Sequence, residues 1–189
     1  MKKGIIVVIL TLLFVNCSLF AQKADEYKIN QLNEKGQKCG LWIVSTTSGI
    51  FENYYKDGVL SGVFKEYNSD GQLMTFGEYC KGKMCGTWYY FAIEGHVWMI
   101  FKDFAKNTYS IMNVYGTRYV PDYKCYRIAY YPNGNIDNEG LILWSEGDSP
   151  ETDFSEYGGC KYYDKEGHLT ETRWEYFDKE GNLREIVVK

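Results

Sequence analysis

Cysteine, histidine and clustered carboxylates are the residues that could do chemistry in this 189-residue chain. Cys39 and Cys85 stand in near-identical settings, "KCGLW" at 38–42 and "MCGTW" at 84–88, as a duplicated thiol site would. A metal site would want paired cysteines two residues apart or a nearby histidine. The sequence has neither, so a zinc site is not expected. Cys80 and Cys85, in "CKGKMC", flank a glycine turn and could face each other across a hairpin mouth as a disulfide. Cys125 with Cys160 is a second, less supported pairing. Only two histidines are present, His96 and His168. Each follows a turn glycine and reads as the polar first residue of a returning strand. The segment 146–159 concentrates Glu146, Asp148, Glu151, Asp153 and Glu156, but at spacings that do not match a calcium-binding EF-hand loop. It reads as an exposed acidic loop. No serine nucleophile elbow, zinc-protease helix motif, phosphate-binding glycine loop or dinucleotide fingerprint occurs. The expectation is a protein without catalysis, cofactor or metal.

The ends and totals bound the class. Residues 1–21 begin with Lys2 and Lys3, continue with an apolar run from Ile5 to Val15, and reach Ala21 through small or neutral residues. That layout predicts a signal peptide and hence an exported, periplasmic or secreted protein. Cys17 offers lipid attachment as a lesser alternative, since Asn16 before it is a poor match. The apolar run falls short of the roughly 20 residues a membrane span needs, so no span is expected after cleavage. Removal of this segment leaves 19 Lys and Arg against 25 Asp and Glu, a net charge of −6. An acidic chain without a basic cluster is not expected to bind nucleic acid. Aromatics at 17% with three prolines exclude disorder, and 18 tyrosines favour pleated strands.

The elements that would position these groups are announced by glycine. After a lead-in at 22–35, residues 36–105 form three rows opened by Gly36, Gly58 and Gly82. Gly40, Gly62 and Gly86 follow four residues later, then Gly49, Gly71 and Gly95 nine residues after those. Trp42, Phe64 and Trp88 each stand two residues beyond the second glycine. Gly accepts positive φ, so Gly40, Gly49, Gly58, Gly62, Gly71, Gly82, Gly86 and Gly95 read as repeat turn glycines, as in "KDG" and "SDG", and "LWIVST" and "TWYYFA" between turns read as strands. Each row is then a β-hairpin, and successive hairpins stack into an antiparallel meander, an all-β fold. The two glycines four apart suggest a bulged junction. In such an array four strand spacings separate Cys39 from Cys85, about 19 Å at ~4.8 Å per strand, far beyond disulfide reach. The timing lapses over 106–127, a divergent connection. It returns in fragments over 128–189, in "YYPNGNI", "YYDKEGHL" and "YFDKEGNL", interrupted by the acidic stretch.

Gly40-x-Trp42, Tyr54-Tyr55-x-x-Gly58-x-Leu60, Gly62-x-Phe64-x-x-Tyr67-x-x-x-Gly71-x-Leu73 and Gly86-x-Trp88-Tyr89-Tyr90 together resemble the MORN repeat. They resemble more closely the variant found in bacterial proteins related to the YwqK-type antitoxin family. The resemblance implies stacked hairpins in a single sheet, a binding or structural role, and an antitoxin or immunity duty toward a toxin partner. Stacking in register would align Trp42, Phe64 and Trp88 as a stripe, either a core ladder or an aromatic track for a protein or glycan partner. A carboxylate-based hydrolase would instead require acids converging in one pocket.

Overall fold

Two-residue turns with left-handed backbone set the rhythm of the chain. At Asp57-Gly58, φ is 51° and 82°, and at Lys81-Gly82 it is 53° and 82°, the conformation that matches the twist of flanking strands. Each of these glycines donates its N–H to a carbonyl of the preceding row, Gly58 to Lys38 at 2.9 Å and Gly82 to Leu60 at 2.8 Å. Neighbouring hairpins are thereby clipped together at that end of the sheet. At the other end, the turns 68–72, 92–96, 131–135 and 164–168 share one hydrogen-bond pattern, with the first residue's N–H donating to the carbonyl of the fifth.

A computed structural model of the protein describes residues 28–112, 115–177 and 183–189. The expected signal segment 1–21, with Cys17, and the first part of the lead-in lie outside the described residues. The strands are β1 (Gln31–Leu32), β2 (Lys38–Ser45), β3 (Gly49–Lys56), β4 (Val59–Asn68), β5 (Leu73–Cys80), β6 (Lys83–Phe91) and β7 (Val97–Lys106). A short pair follows, β8 (Ile111–Met112) and β9 (Arg118–Tyr119). Then come β10 (Tyr123–Tyr130), β11 (Ile136–Trp144), β12 (Ser155–Tyr163), β13 (Leu169–Phe177) and β14 (Leu183–Val188). All but β8 and β9 form one open antiparallel sheet of twelve strands in sequence order. The fold is an all-β meander. Among the described residues no helix is long and apolar enough to cross a membrane.

The glycines divide by role. Gly58, Gly71, Gly82 and Gly95 occupy turns, whereas Gly40, Gly62 and Gly86 lie within β2, β4 and β6. The pairing of β3 with β4 and of β5 with β6 slips around Gly62 and Gly86, so these two mark bulges inside strands rather than turn tips. Gly49 departs from its expected place in a turn: it starts β3 and is buried, and a β-carbon there would collide with the Tyr67 carbonyl oxygen. The divergent connection also narrows, because β7 runs to Lys106 and β10 begins at Tyr123, leaving 107–122. The acidic insertion likewise shortens to 145–154, since Ser155 opens β12.

Register brings one row of side chains across the sheet: Trp42 opposite Asn53, Asn53 opposite Phe64, and Phe64 opposite Gly77. Trp88 lies over Gly77 and faces Phe101, which faces Arg127. The core gathers on this face around Trp88, Tyr90, Met99, Phe101, Cys125, Ile142 and Trp144. An open sheet has two faces and no second layer of its own to cover them. The two segments that break the glycine timing supply cover. On the core face, 145–154 folds down so that Pro150 is buried and the Phe154 ring lies 4.5 Å from the Arg127 guanidinium carbon. On the opposite face, Tyr109 stacks on Tyr157 at 4.6 Å, with the Lys124 ammonium 4.5 Å from its ring. Asn107, 3% exposed, fastens that second segment. Its Nδ2–H donates to the carbonyls of Tyr109 (2.8 Å) and Pro121 (3.0 Å), and its Oδ1 accepts from the Tyr109 N–H (2.9 Å).

Candidate functional site

The repeated Cys-Gly-x-Trp is a junction in which each part has a mechanical role. Gly86 (φ 66°) turns the β6 backbone through a bulge, which aims Trp88 across β5. The indole then rests on Gly77 and donates its N–H to the carbonyls of Glu78 (3.0 Å) and Cys85 (3.1 Å). Trp42 repeats the arrangement two rows earlier, donating to the Gln31 carbonyl at 3.1 Å beyond Gly40 (φ 68°). Cys160 occupies the same station beyond Gly158, with its Sγ over Gly140 where the indole lies over Gly77. This correspondence between "GTW" and "GGC" is hidden in the sequence because the aromatic is missing.

The three stripe residues lie on one face but in different environments. Trp88 is 2% exposed, while Phe64 and Trp42 are half-buried. Phe64 stacks on Trp88 at 5.3 Å between centroids. Trp42 stands apart beyond Asn53, against Tyr55 at 6.1 Å and beneath the Lys38 ammonium at 4.6 Å. The stripe is therefore core at Trp88 and surface at Trp42.

Among the cysteines, Cys80 and Cys85 form a disulfide with Cα atoms 5.8 Å apart. Cys39, Cys125 and Cys160 are free. Burial raises the Cys125 thiol far above its ordinary pKa and pushes Cys160 up to about 12. Both are apolar core side chains rather than nucleophiles. His168 pairs with Asp164 at 3.2 Å in an exposed turn, and His96 is likewise a turn residue whose carbonyl accepts from Ala92.

The folded-down acidic loop creates two adjoining cavities that sequence reasoning does not reveal. The larger is a groove of about 750 Å³. Its floor is Tyr79, Phe104, Tyr123 and Trp144, and its rims carry Lys81, Lys83 and Lys106 with Asp122, Glu146 and Asp148. Lys83 is tied to Tyr123, its Nζ donating to the hydroxyl at 2.9 Å. Trp144 packs edge-on against Phe104 at 6.0 Å. The Asp122 carboxylate accepts from the Glu146 N–H at 2.9 Å, which fixes the loop against the end of the 107–122 segment.

Beside the groove lies a chamber of about 270 Å³ walled by Phe64, Tyr79 and Trp88. Glu66, Tyr90, Asp148 and Glu151 also line it. Thr75 donates to the Glu66 carboxylate at 3.0 Å. Burial, and then the Glu66 charge, hold the Glu151 carboxyl above the usual range, with the adjacent Tyr90 hydroxyl working in the opposite direction. Tyr90 is 5% exposed, and its hydroxyl makes no hydrogen bond of ordinary geometry among the described residues. The acidic segment is therefore not a simple exposed loop: Glu151 is half-buried, because Pro150 and Phe154 draw it onto the sheet. These two residues are the only sequence signal that the loop would fold down.

Among the described residues no three Asp, Glu, His or Cys side chains are grouped so as to hold a metal ion. No protein-family model matches the chain, and no curated protein matches it.

Proposed function

We propose that the protein is an exported binding module, without catalysis, that holds a segment of a partner protein in the aromatic groove between Tyr79 and Trp144. The observation that carries this reading is the groove's composition. An apolar aromatic floor supplies anchor area, and rims bearing both signs of charge supply selectivity. Lys83 is already ordered by Tyr123, so less side-chain freedom is lost on binding. The rigid sheet positions the floor, while the loop 145–148 shapes one wall. Export follows from the signal-like segment at residues 1–21.

The test places a photo-crosslinking phenylalanine analogue at Tyr123 in cells, with the same analogue at Ile93 as the control. Ile93 is 68% exposed at a turn tip away from the groove. A discrete protein adduct from position 123 that is absent from position 93 is the expected result. No adduct, or the same adducts from both positions, would overturn the reading.

A further inference from the structure

We propose that the chamber beside the groove receives the cationic end of a lysine or arginine side chain from the bound partner; this rests on the protein-binding reading above. Glu66, Asp148 and Glu151 line the chamber, and no lysine, arginine or histidine does. Asp148 is exposed, but Glu66 and Glu151 are half-buried, and half-buried carboxylates without a counter-charge are costly to hold near each other unless something positive enters. Tyr90 is the second, independent sign. Its hydroxyl is sequestered, makes no hydrogen bond of ordinary geometry, and stands beside the Glu151 carboxylate, which it stabilises in the charged form, in the same chamber. A buried polar group left unsatisfied works against folding. An entering ammonium or guanidinium would donate to this oxygen and to the neighbouring Glu151 carboxylate. The walls suit the same guest, since half-buried Phe64 and Tyr79 offer aromatic surface to a cation and to its methylene stem.

Other guests fit less well. A hard metal ion wants several oxygen ligands at bonding distance, and no such group of acids exists among the described residues. A sugar would stack on an open ring face, but Trp88 is sealed in the core. The volume, about 270 Å³, is slightly below the range of pockets for drug-sized molecules and suits one side chain.

The experiment follows the Trp88 indole N–H resonance of the ¹⁵N-labelled protein by NMR. The probes are n-butylguanidinium, n-butylammonium, n-pentanol, calcium and methyl β-glucoside. The two cations are expected to shift the resonance saturably and the other three to leave it in place. The double substitution Glu66→Gln, Glu151→Gln should weaken cation binding by at least about ten-fold. Tyr90→Phe should also weaken it while leaving the empty protein at least as stable, a combination that a purely structural hydroxyl would not produce. Equal shifts from n-pentanol would make the chamber merely apolar. Shifts from calcium or from the glucoside would make it a metal or a sugar site. Any of these, or full cation binding by the double variant, overturns the proposal. The crosslink at position 123 reads the groove separately. An adduct without cation binding sinks only the chamber, and cation binding without an adduct sinks only the groove.

Discussion

Gly77→Ala tests whether the indole junction is what holds the sheet's central rows together. A β-carbon on Gly77 would lie 2.2, 2.4 and 2.6 Å from Cδ2, Cε2 and Cγ of Trp88. Carbon atoms rest about 3.5–4.0 Å apart, so the ring must retreat by more than about 1 Å. Its surroundings oppose that movement. Phe64 stacks on it at 5.3 Å, Tyr79 meets it edge-on at 4.9 Å, and two carbonyls hold its N–H. Gly77 itself has no left-handed φ, so the backbone adds nothing to the cost. Overpacking costs about 1–3 kcal/mol, and a displaced, sealed N–H adds about 1–3 kcal/mol. The expected loss is about 3–4 kcal/mol, measured from urea midpoints by circular dichroism at a common slope. Gly95→Ala is the comparison: nothing lies within 4 Å of its β-carbon and its φ is +86°, so about 1–2 kcal/mol of backbone strain is all it should show. Replacing Trp88 with Leu in the Gly77→Ala background removes the clashing ring. The pair should then be less destabilising than the sum of its parts, with a coupling above about 1 kcal/mol. Additive losses, or a Gly77→Ala effect no larger than that of Gly95→Ala, would mean that the indole junction does not hold these rows together.

Reduction of Cys80–Cys85 should lower stability by about 2 kcal/mol, the chain-entropy value for so short a loop, read as a shift in the urea midpoint with and without reductant. Thiol titration of the unfolded, unreduced protein should find Cys39, Cys125 and Cys160 free, plus Cys17 where residues 1–21 are retained; in the folded protein, half-buried Cys39 should react first. Asn107→Ala removes three fastenings of the 107–122 segment. It should cost about 2–3 kcal/mol and release amide protection there before β5–β7. Glu151 has its pKa raised by burial and then by Glu66, against the pull of Tyr90. The folded state therefore binds its proton more tightly than the unfolded one. The resulting stabilisation is full below the ordinary carboxylate pKa and is lost as pH rises through the raised value. Melting temperatures of the protein and Glu151→Gln across about pH 4–7 should show this slope in the first and not in the second, while cation binding should strengthen over the same rise.

The local and periodic part of this protein is written in its residue order alone. Asp57-Gly58 and Lys81-Gly82 specify two-residue turns because few residues tolerate positive φ. Gly62 and Gly86 mark bulges for the same reason, and alternation in "TWYYFA" assigns Trp88 and Tyr90 to one face. Strand order and the row running through Trp42, Phe64 and Trp88 follow from those short-range rules. The cover and the cavities it makes do not. Residues 145–154 are polar and charged apart from Pro150 and Phe154, so they read as a solvated loop. Only the assembled sheet, with Tyr90, Phe101 and Arg127 brought side by side from three strands, presents a surface onto which those two residues can bury. Glu66 likewise reads as one more solvent-facing acid. It becomes part of a candidate site because the loop sets Glu151 down near it, a long-range juxtaposition that no spacing along the chain encodes.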